Sequence, residues 1–491
     1  MDYRALKKPR AALVCFVVAF VAVAFLGRSA YYRLSPSTAD SIHYTPPPTG
    51  PSLLFPASLD PPADDRSWHA HNARATAALF RCLERADCAP DQTKVVILQG
   101  WHFRGVLDGY LGGEGIWASS AVRPPYTFLY TDRGLDPMVR LYRVFAPLVR
   151  AVIVDAPDAH ACFRDPYCAL RRVWAWGIPV WKILSFHYWD YADHPLGRKW
   201  TLSPEPYLPA PDNNTYLGYS VQPSCTQQPF IPHAQRALKQ VYVYAKTADY
   251  FSPEKRAFPP HVFARLSAAL GVDFVVGVQE AGAGAALPAG VANLGGMGPA
   301  RFYEAVARSW VLMGMGAPST SPTPYDALCL GVPFINPILT WDPAHPADRA
   351  KWVAQHEALK HLGPPHVYNV FRDDADGLEA ALRAALAAPL LDRYILPRME
   401  LAAVQARVGA ILETDWRGAA EAVLAARVEA AAEKGSGPGG ASGAETEDEV
   451  RAGLGYPCAV LTTDCGVDAF LDRAIAIDRS LVQGIIFLKT R

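Results

Sequence analysis

The sequence predicts an α/β protein with two doubly wound, Rossmann-like domains facing each other across a cleft. Three observations predict it. Short apolar runs of strand length alternate with segments of helical spacing, the pattern of parallel strands joined by crossover helices. The alternation comes in two sets, separated by a Pro-rich stretch near 203–211. The chain has 491 residues, 51% of them hydrophobic, so two cores can be filled. In such sheets a ligand sits outside the carboxyl ends of the strands, which here means in the cleft.

Residues 1–10 carry Arg4, Lys7, Lys8 and Arg10 and read as a cytoplasmic tail. Residues 11–27, AALVCFVVAFVAVAFLG, are 17 residues without a charge. A membrane span needs about 17 to 25 residues, so this run reads as a transmembrane signal-anchor helix. It is longer than the apolar core of a cleaved signal peptide, and no clean small-x-small site follows it. Basic residues before it outnumber Arg28 and Arg33 after it, which places the bulk of the chain in the lumen. So short a span suits a thin early-secretory membrane, endoplasmic reticulum or Golgi. Residues 28–67 are rich in Pro and Ser and read as an extended stem.

The first domain is expected over 68–205. Its strands are KVVILQG (94–100), YTFLYT (126–131) and VRAVIVDA (149–156), with a helix over 138–148. The second domain, the nucleotide-binding one, is expected over 206–425. Its strands are VYVYAK (241–246), DFVVGVQ (273–279), WVLMGMG (310–316) and VPFIN (332–336). Helices are expected at 259–270, 299–309, 324–330 and 377–389. Residues 426–491 hold a low-complexity stretch and a Cys-containing tail.

Formal net charge is zero and no basic block stands beyond the N-terminus, so nothing points to a nucleic-acid partner. Eight cysteines lie outside the apolar run. Cys82 and Cys88, Cys162 and Cys168, and Cys458 and Cys465 form close pairs that read as local disulfides in an oxidising lumen. No CxxC or HxxxH accompanies them, which argues against zinc. The sequon Asn213-Asn214-Thr215 makes Asn213 a glycosylation candidate.

The densest chemistry lies in GMGAPSTSPTPYDALCLGVPFINP, residues 314–337. Gly314 and Gly316 end a strand and allow close approach of backbone to a ligand. Thr323 reads as a helix N-cap, Pro324 as the first helical residue and Gly331 as the stop. A helix start in the cleft, with free N–H groups and the Ser321 and Thr323 hydroxyls nearby, suits a phosphate or diphosphate. Asp326 has two readings: a T-x-x-D capping box on Thr323, or an acceptor for ribose hydroxyls. Lys246, at a strand's carboxyl end, is either a phosphate partner or a solvated lysine. His366, in the GPPHVY turn, is either a nucleotide contact or a structural turn residue, and Lys351 is a further candidate.

These blocks together carry a resemblance. APDNNTYLGYSV (210–221), VYVYAKTADYFSPEK (241–255), the glycine-proline loop and helix at 314–337, QHEALKHLGPPHVYNV (355–370) and RYILPRMELAAVQARVGAILE (393–413) occur in order. Each is similar to a block of glycosyltransferase family 18, whose type member is an N-acetylglucosaminyltransferase V. The resemblance covers roughly 205 to 415 well, is thin over 94 to 200 and is weak after 425. One departure stands out. The family carries two acidic residues around the loop; here Thr320 stands at the first position and Asp326 at the second.

The resemblance implies a GT-B fold, UDP-GlcNAc as donor and a mannose 6-hydroxyl of an N-glycan or glycoprotein as acceptor. It implies a Golgi enzyme, single-pass type II, forming a β-1,6 linkage with inversion. Inversion needs one in-line displacement and one general base. No strand ends in a DxD pair, so no metal or other cofactor is expected, and Gly316, Ser321, Thr323, Pro324, Asp326, Lys246, His366 and Lys351 are the donor-site candidates. The base should come from the first domain. It stays open between Asp155, which ends a strand, and Glu114 or Asp108 in the Gly-rich loop after 94–100. Each of these can equally be a turn or cap carboxylate. The alternatives are another GT-B transferase with a different sugar or acceptor, and a membrane-anchored glycan-binding protein without turnover.

Overall fold

The computed structural model describes residues 57–435 except 66, 101–102, 104–125, 166, 171–176, 189–193, 207–213, 237–238 and 280–286. The expected membrane span, most of the stem, the 458/465 cysteine pair and the tail lie outside these residues. Among the described residues no helix is long and apolar enough to cross a membrane.

The first half runs α1 (Trp68–Arg85), β1 (Val95–Gln99), β2 (Thr127–Thr131), α2 (Leu135–Phe145), β3 (Val149–Asp155), α3 (Ala156–Arg164), β4 (Ala169–Leu170), β5 (Ile178–Pro179), β6 (Ile183–Phe186), β7 (Thr201–Ser203) and β8 (Thr215–Tyr216). The second runs α4 (Gln222–Thr226), β9 (Gln240–Tyr244), α5 (His261–Leu270), β10 (Asp273–Val276), β11 (Val291–Asn293), α6 (Pro299–Ala307), β12 (Val311–Gly314), α7 (Thr323–Cys329), β13 (Phe334–Thr340), β14 (Val353–Ala354), β15 (Val367–Phe371) and α8 (Ala375–Ala387). Two helices follow to the end of the described residues: α9 (Leu401–Glu413) and α10 (Trp416–Gly435).

The first sheet has the order β2-β1-β3-β6-β7-β8, and every pair in it is parallel. The second has the order β11-β10-β9-β12-β13, with β15 parallel on β13 and β14 antiparallel to its end. β4 and β5 pair separately. In β1, Val96 and Leu98 face one core while Val95 and Ile97 face another. In β9, Tyr242 and Tyr244 face one side, Val241 and Val243 the other. Both faces of β1 and β9 are thus covered, which explains why these two strands read as unbroken apolar runs.

Local signals set the helix ends. The Ser67 Oγ accepts from Ala70 N–H at the start of α1, and the Asp374 carboxylate accepts from Gly377 N–H at the start of α8. Gly271, φ +62°, ends α5. Two expected disulfides, Cys82–Cys88 and Cys162–Cys168, staple the ends of α1 and α3. A third, Cys225–Cys329, joins α4 to α7 across 104 residues.

The last two helices return to the first sheet. Lys94 Nζ and the Tyr126 hydroxyl each donate to the Glu413 carboxylate at 2.8 Å. Trp416 lies against Trp200, ring centroids 5.5 Å apart, with both rings buried. Arg427 Nη2 donates to the Pro195 carbonyl at 2.7 Å.

Candidate active site

Each sheet has one point where its strand order reverses. In the first sheet β2 and β3 flank β1, and in the second β10 and β12 flank β9. At such a switch point the loops leave in opposite directions and open a crevice at the carboxyl ends of the strands. In the first sheet that crevice lies at Gln99, Gly100 and Asp155; in the second it lies at Tyr244, which pairs with Gly314. The two carboxyl edges face each other. Tyr188, two residues past β6, donates its hydroxyl to the Thr320 carbonyl at 2.6 Å.

The loop after β12 is held from within. A Cβ on Gly314 would lie 2.3 Å from Gln355 Oε1. Gly316 has φ +101°, and a Cβ there would lie 2.5 Å from the Lys255 carbonyl, so both positions need glycine. Buried Gln355 clamps the loop at three points. Its Oε1 accepts from Gly316 N–H at 2.8 Å, its Nε2 donates to the Pro318 carbonyl at 3.2 Å, and its own carbonyl accepts from Thr320 N–H at 2.8 Å. Thr320 is buried with φ +46°. The Ser321 Oγ accepts from the Tyr244 hydroxyl at 2.5 Å. The Ser321 carbonyl lies 3.1 Å from His356 Nε2, so that nitrogen carries the ring proton. Burial draws the His356 pKa down to about 3, which leaves Nδ1 an acceptor with no partner.

The helix after the loop starts one residue earlier than the sequence suggests. Pro322 is the cap, with helical angles, and Thr323 is already helical. The first turn also has fewer free donors than expected. Pro322 and Pro324 have no N–H, and the Tyr325 and Asp326 amides both donate to the Pro322 carbonyl. Only Thr323 N–H, at 3.5 Å from Ser321 Oγ, is loosely held. Gly331, φ +76°, ends the turn that follows.

Asp326 does not close a capping box, because Thr323 is not the cap. Its carboxyl group turns instead toward the Tyr303 hydroxyl on α6, and Oδ1 has no partner. The side chain is 4% exposed, and burial pushes its pKa up to about 8 against the opposing Tyr303 hydrogen bond.

A second buried carboxylate, unread in the sequence, comes from the first half of the chain and bonds directly to α7. Glu205 follows β7 and is 2% exposed. It accepts from the Tyr219 hydroxyl at 3.1 Å and from the Tyr325 hydroxyl at 2.9 Å. Arg398 Nη2 lies 4.0 Å from Glu205 and donates to the Tyr325 hydroxyl oxygen at 2.8 Å. Burial pushes Glu205 up to about 7, against the pull of Arg398 and the tyrosines. The signal for Glu205 was slight: a carboxylate between two prolines, SPEP, just after an apolar segment.

The other expected residues are scattered. Asp155 ends β3, is buried, and lies so close under Gly100 that a Cβ there would come within 2.2 Å of Oδ2. Its neighbour Asp158 accepts from Gln99 Nε2 at 2.6 Å. Lys246 is exposed just past β9. Lys351 Nζ is engaged by the Asp342 carboxylate at 2.6 Å in the 341–352 loop. His366 precedes β15 at the amino end of the sheet, where its carbonyl accepts from Phe334 N–H and its ring meets Tyr394 at 3.8 Å. That is the opposite end from the Gly316 loop, which corrects the expectation of a nucleotide contact. Strand direction, not visible in an isolated turn, decides it. Asp108, Glu114 and Asn213 lie outside the described residues. Among the described residues no group of three or more His, Cys, Asp or Glu is gathered as for a metal.

Several solved structures are similar at low identity. A glycotransferase of kitacinnamycin is 12% identical, with a TM-score of 0.35, covering 67% of this chain and 98% of that one. A UDP-GlcNAc 2-epimerase from Neisseria meningitidis, bound to UDP-GlcNAc, is 10% identical at TM-score 0.35 and covers 65% and 100%. A spinosyn rhamnosyltransferase complexed with thymidine diphosphate is 11% identical at TM-score 0.31 and covers 65% and 96%. No curated protein matches the chain. The family model of glycosyltransferase family 18 matches residues 160–417, more than half of the sequence, and its span holds the Gly316 loop, α7, Glu205 and the Gln355 clamp. With two parallel sheets meeting at their carboxyl edges, the chain belongs to glycosyltransferase family 18.

Proposed function

We propose that this glycosyltransferase moves N-acetylglucosamine from UDP-GlcNAc to a mannose 6-hydroxyl of an N-glycan, forming a β-1,6 linkage with inversion and without a metal. The observation that carries the site is the Tyr188–Thr320 bond, which brings the carboxyl edges of the two sheets together. The donor is proposed to lie along Gly316–Thr323, with the Ser321 and Thr323 hydroxyls, Pro324 and Lys246 around its diphosphate. Lys351 is a more distant partner. Asp326, with Oδ1 unpartnered, is proposed to meet the ribose; held neutral, it could both donate and accept there. Of the three candidate bases, Asp155 is at the switch point of the first sheet, and Glu114 and Asp108 follow the neighbouring strand.

In the proposed reaction the acceptor oxygen attacks the anomeric carbon as the bond to the diphosphate breaks. The acceptor proton passes to the base, and UDP leaves with the bonding pair. The metal-free reading rests on the lack of a DxD strand end in the sequence. The enzyme is proposed to be anchored in the Golgi membrane by residues 11–27, with its catalytic part in the lumen and Asn213 open to glycosylation. The test is UDP release from UDP-GlcNAc with a mannose-terminated N-glycopeptide in EDTA. Release is expected. Turnover only after manganese is added would overturn the metal-free mechanism, and turnover only with another nucleotide sugar or acceptor would overturn the proposed substrates.

A further inference from the structure

We infer that Glu205 is a positioning residue for glycosyl transfer: its ionised carboxylate ties the first sheet to α7 and thereby fixes the loop that receives the donor. The inference rests on the proposal that this loop binds a nucleotide diphosphate sugar.

Hydrogen counting supports the ionised form. Each tyrosine has one hydroxyl proton. The Tyr325 oxygen already accepts from Arg398 Nη2, so its proton is directed at Glu205 Oε2, while Tyr219 serves Oε1. Both carboxylate oxygens are therefore acceptors. A protonated Glu205 would need an acceptor of its own, and one tyrosine would have to turn away.

The contact then runs on to the loop. The Tyr325 ring meets the His356 ring edge-on, 4.7 Å apart at 77°. His356 Nε2–H holds the Ser321 carbonyl, beside the hydroxyl that Tyr244 engages. A residue after β7 thus bears, through one ring pair, on the turn between Thr320 and Thr323. Its partners come from every element around it: Tyr216 and Tyr219 from β8 and the turn after it, Tyr325 from α7, and Arg398 from the segment before α9. Arg407 stands behind, over the Tyr216 ring at 4.6 Å. One carboxylate faces one near cation and three phenols, and its charge changes near neutral pH.

The test is calorimetric titration of the full chain with UDP between about pH 8.5 and about pH 5.5, alongside kcat and donor KM. Wild type is expected to bind UDP more weakly as pH falls through neutrality. Glu205→Gln replaces one of the two acceptor oxygens by an NH2 donor and cannot titrate. It is expected to bind UDP about tenfold more weakly at the upper pH and to lose the pH step. Donor KM should rise more than kcat falls. Tyr325→Phe keeps the ring and is expected to show the same weakening, so it carries the test if Glu205→Gln does not fold. Wild-type UDP affinity with an unchanged pH step in the variants would overturn the inference and leave the donor site standing. A wild-type chain that binds no UDP at any pH would overturn the donor site itself, and the inference with it.

Discussion

Asp326 and Glu205 are buried carboxylates whose folded pKa values, about 8 and about 7, lie above their ordinary ones, chiefly because burial penalises the charge. The folded chain therefore keeps protons that the unfolded chain releases. The stability tied to these protons is present below the ordinary carboxylate range and is lost as pH rises toward 7 to 8. Thermal unfolding followed from about pH 5 to about pH 9 should show a falling melting temperature, and Asp326→Asn should flatten part of the fall. A variant curve parallel to wild type would sink that assignment. If Asp155 is the base among the three candidates, Asp155→Asn should lower kcat by about 10²- to 10⁴-fold with UDP affinity unchanged; an active variant would leave the role to Asp108 or Glu114. Asp326 was legible as a singular residue because of its spacing from Thr323. Its burial was not, since Tyr303 comes from another helix. Glu205 left only the slight SPEP signal, because its partners Tyr219 and Tyr325 stand 14 and 120 residues away.

At the scale of elements, the loop after β12 depends on glycine and on one glutamine. Gly316→Ala should cost about 1–3 kcal/mol through backbone strain and displace the loop from Lys255. Gln355→Ala removes the side-chain acceptor of Gly316 N–H and the donor to Pro318, and should weaken UDP binding while leaving the melting temperature within a few degrees. UDP titration and thermal melts on both variants check this, and an unchanged affinity in Gln355→Ala would show that the clamp is dispensable. The longer strands with both faces buried were legible, because apolar runs such as VVILQ allow little else. The end of β13 was hidden by Pro337. β12 pairs only with Phe334 and Ile335, so Pro337 lies past the last rung on that side and costs no ladder bond there. β6 and β7, four and three residues long, are too brief for a periodic signal. The Cys225–Cys329 disulfide links α4 to α7 through a loop of 104 residues, and no spacing rule selects so distant a pair.

For the whole molecule, the two parallel sheets could be read from the two sets of alternating segments, but the path of residues 401–435 could not. α9 and α10 cover the first sheet after the second is complete, through Glu413, Trp416 and Arg427. Trp416→Ala, at the buried contact with Trp200, should cost about 3–5 kcal/mol in urea unfolding; a loss below about 1 kcal/mol would mean that α10 is peripheral. The surface ion pairs near it should matter far less. The returning helices make the half built on the first sheet discontinuous along the chain. A chimera that exchanged only the segment before β9 with a relative's would set Trp200 against a foreign α10. Exchanging the first sheet between two transferases therefore requires transplanting α9 and α10 together with it, and a cut at a single junction would divide one folding unit between two parents.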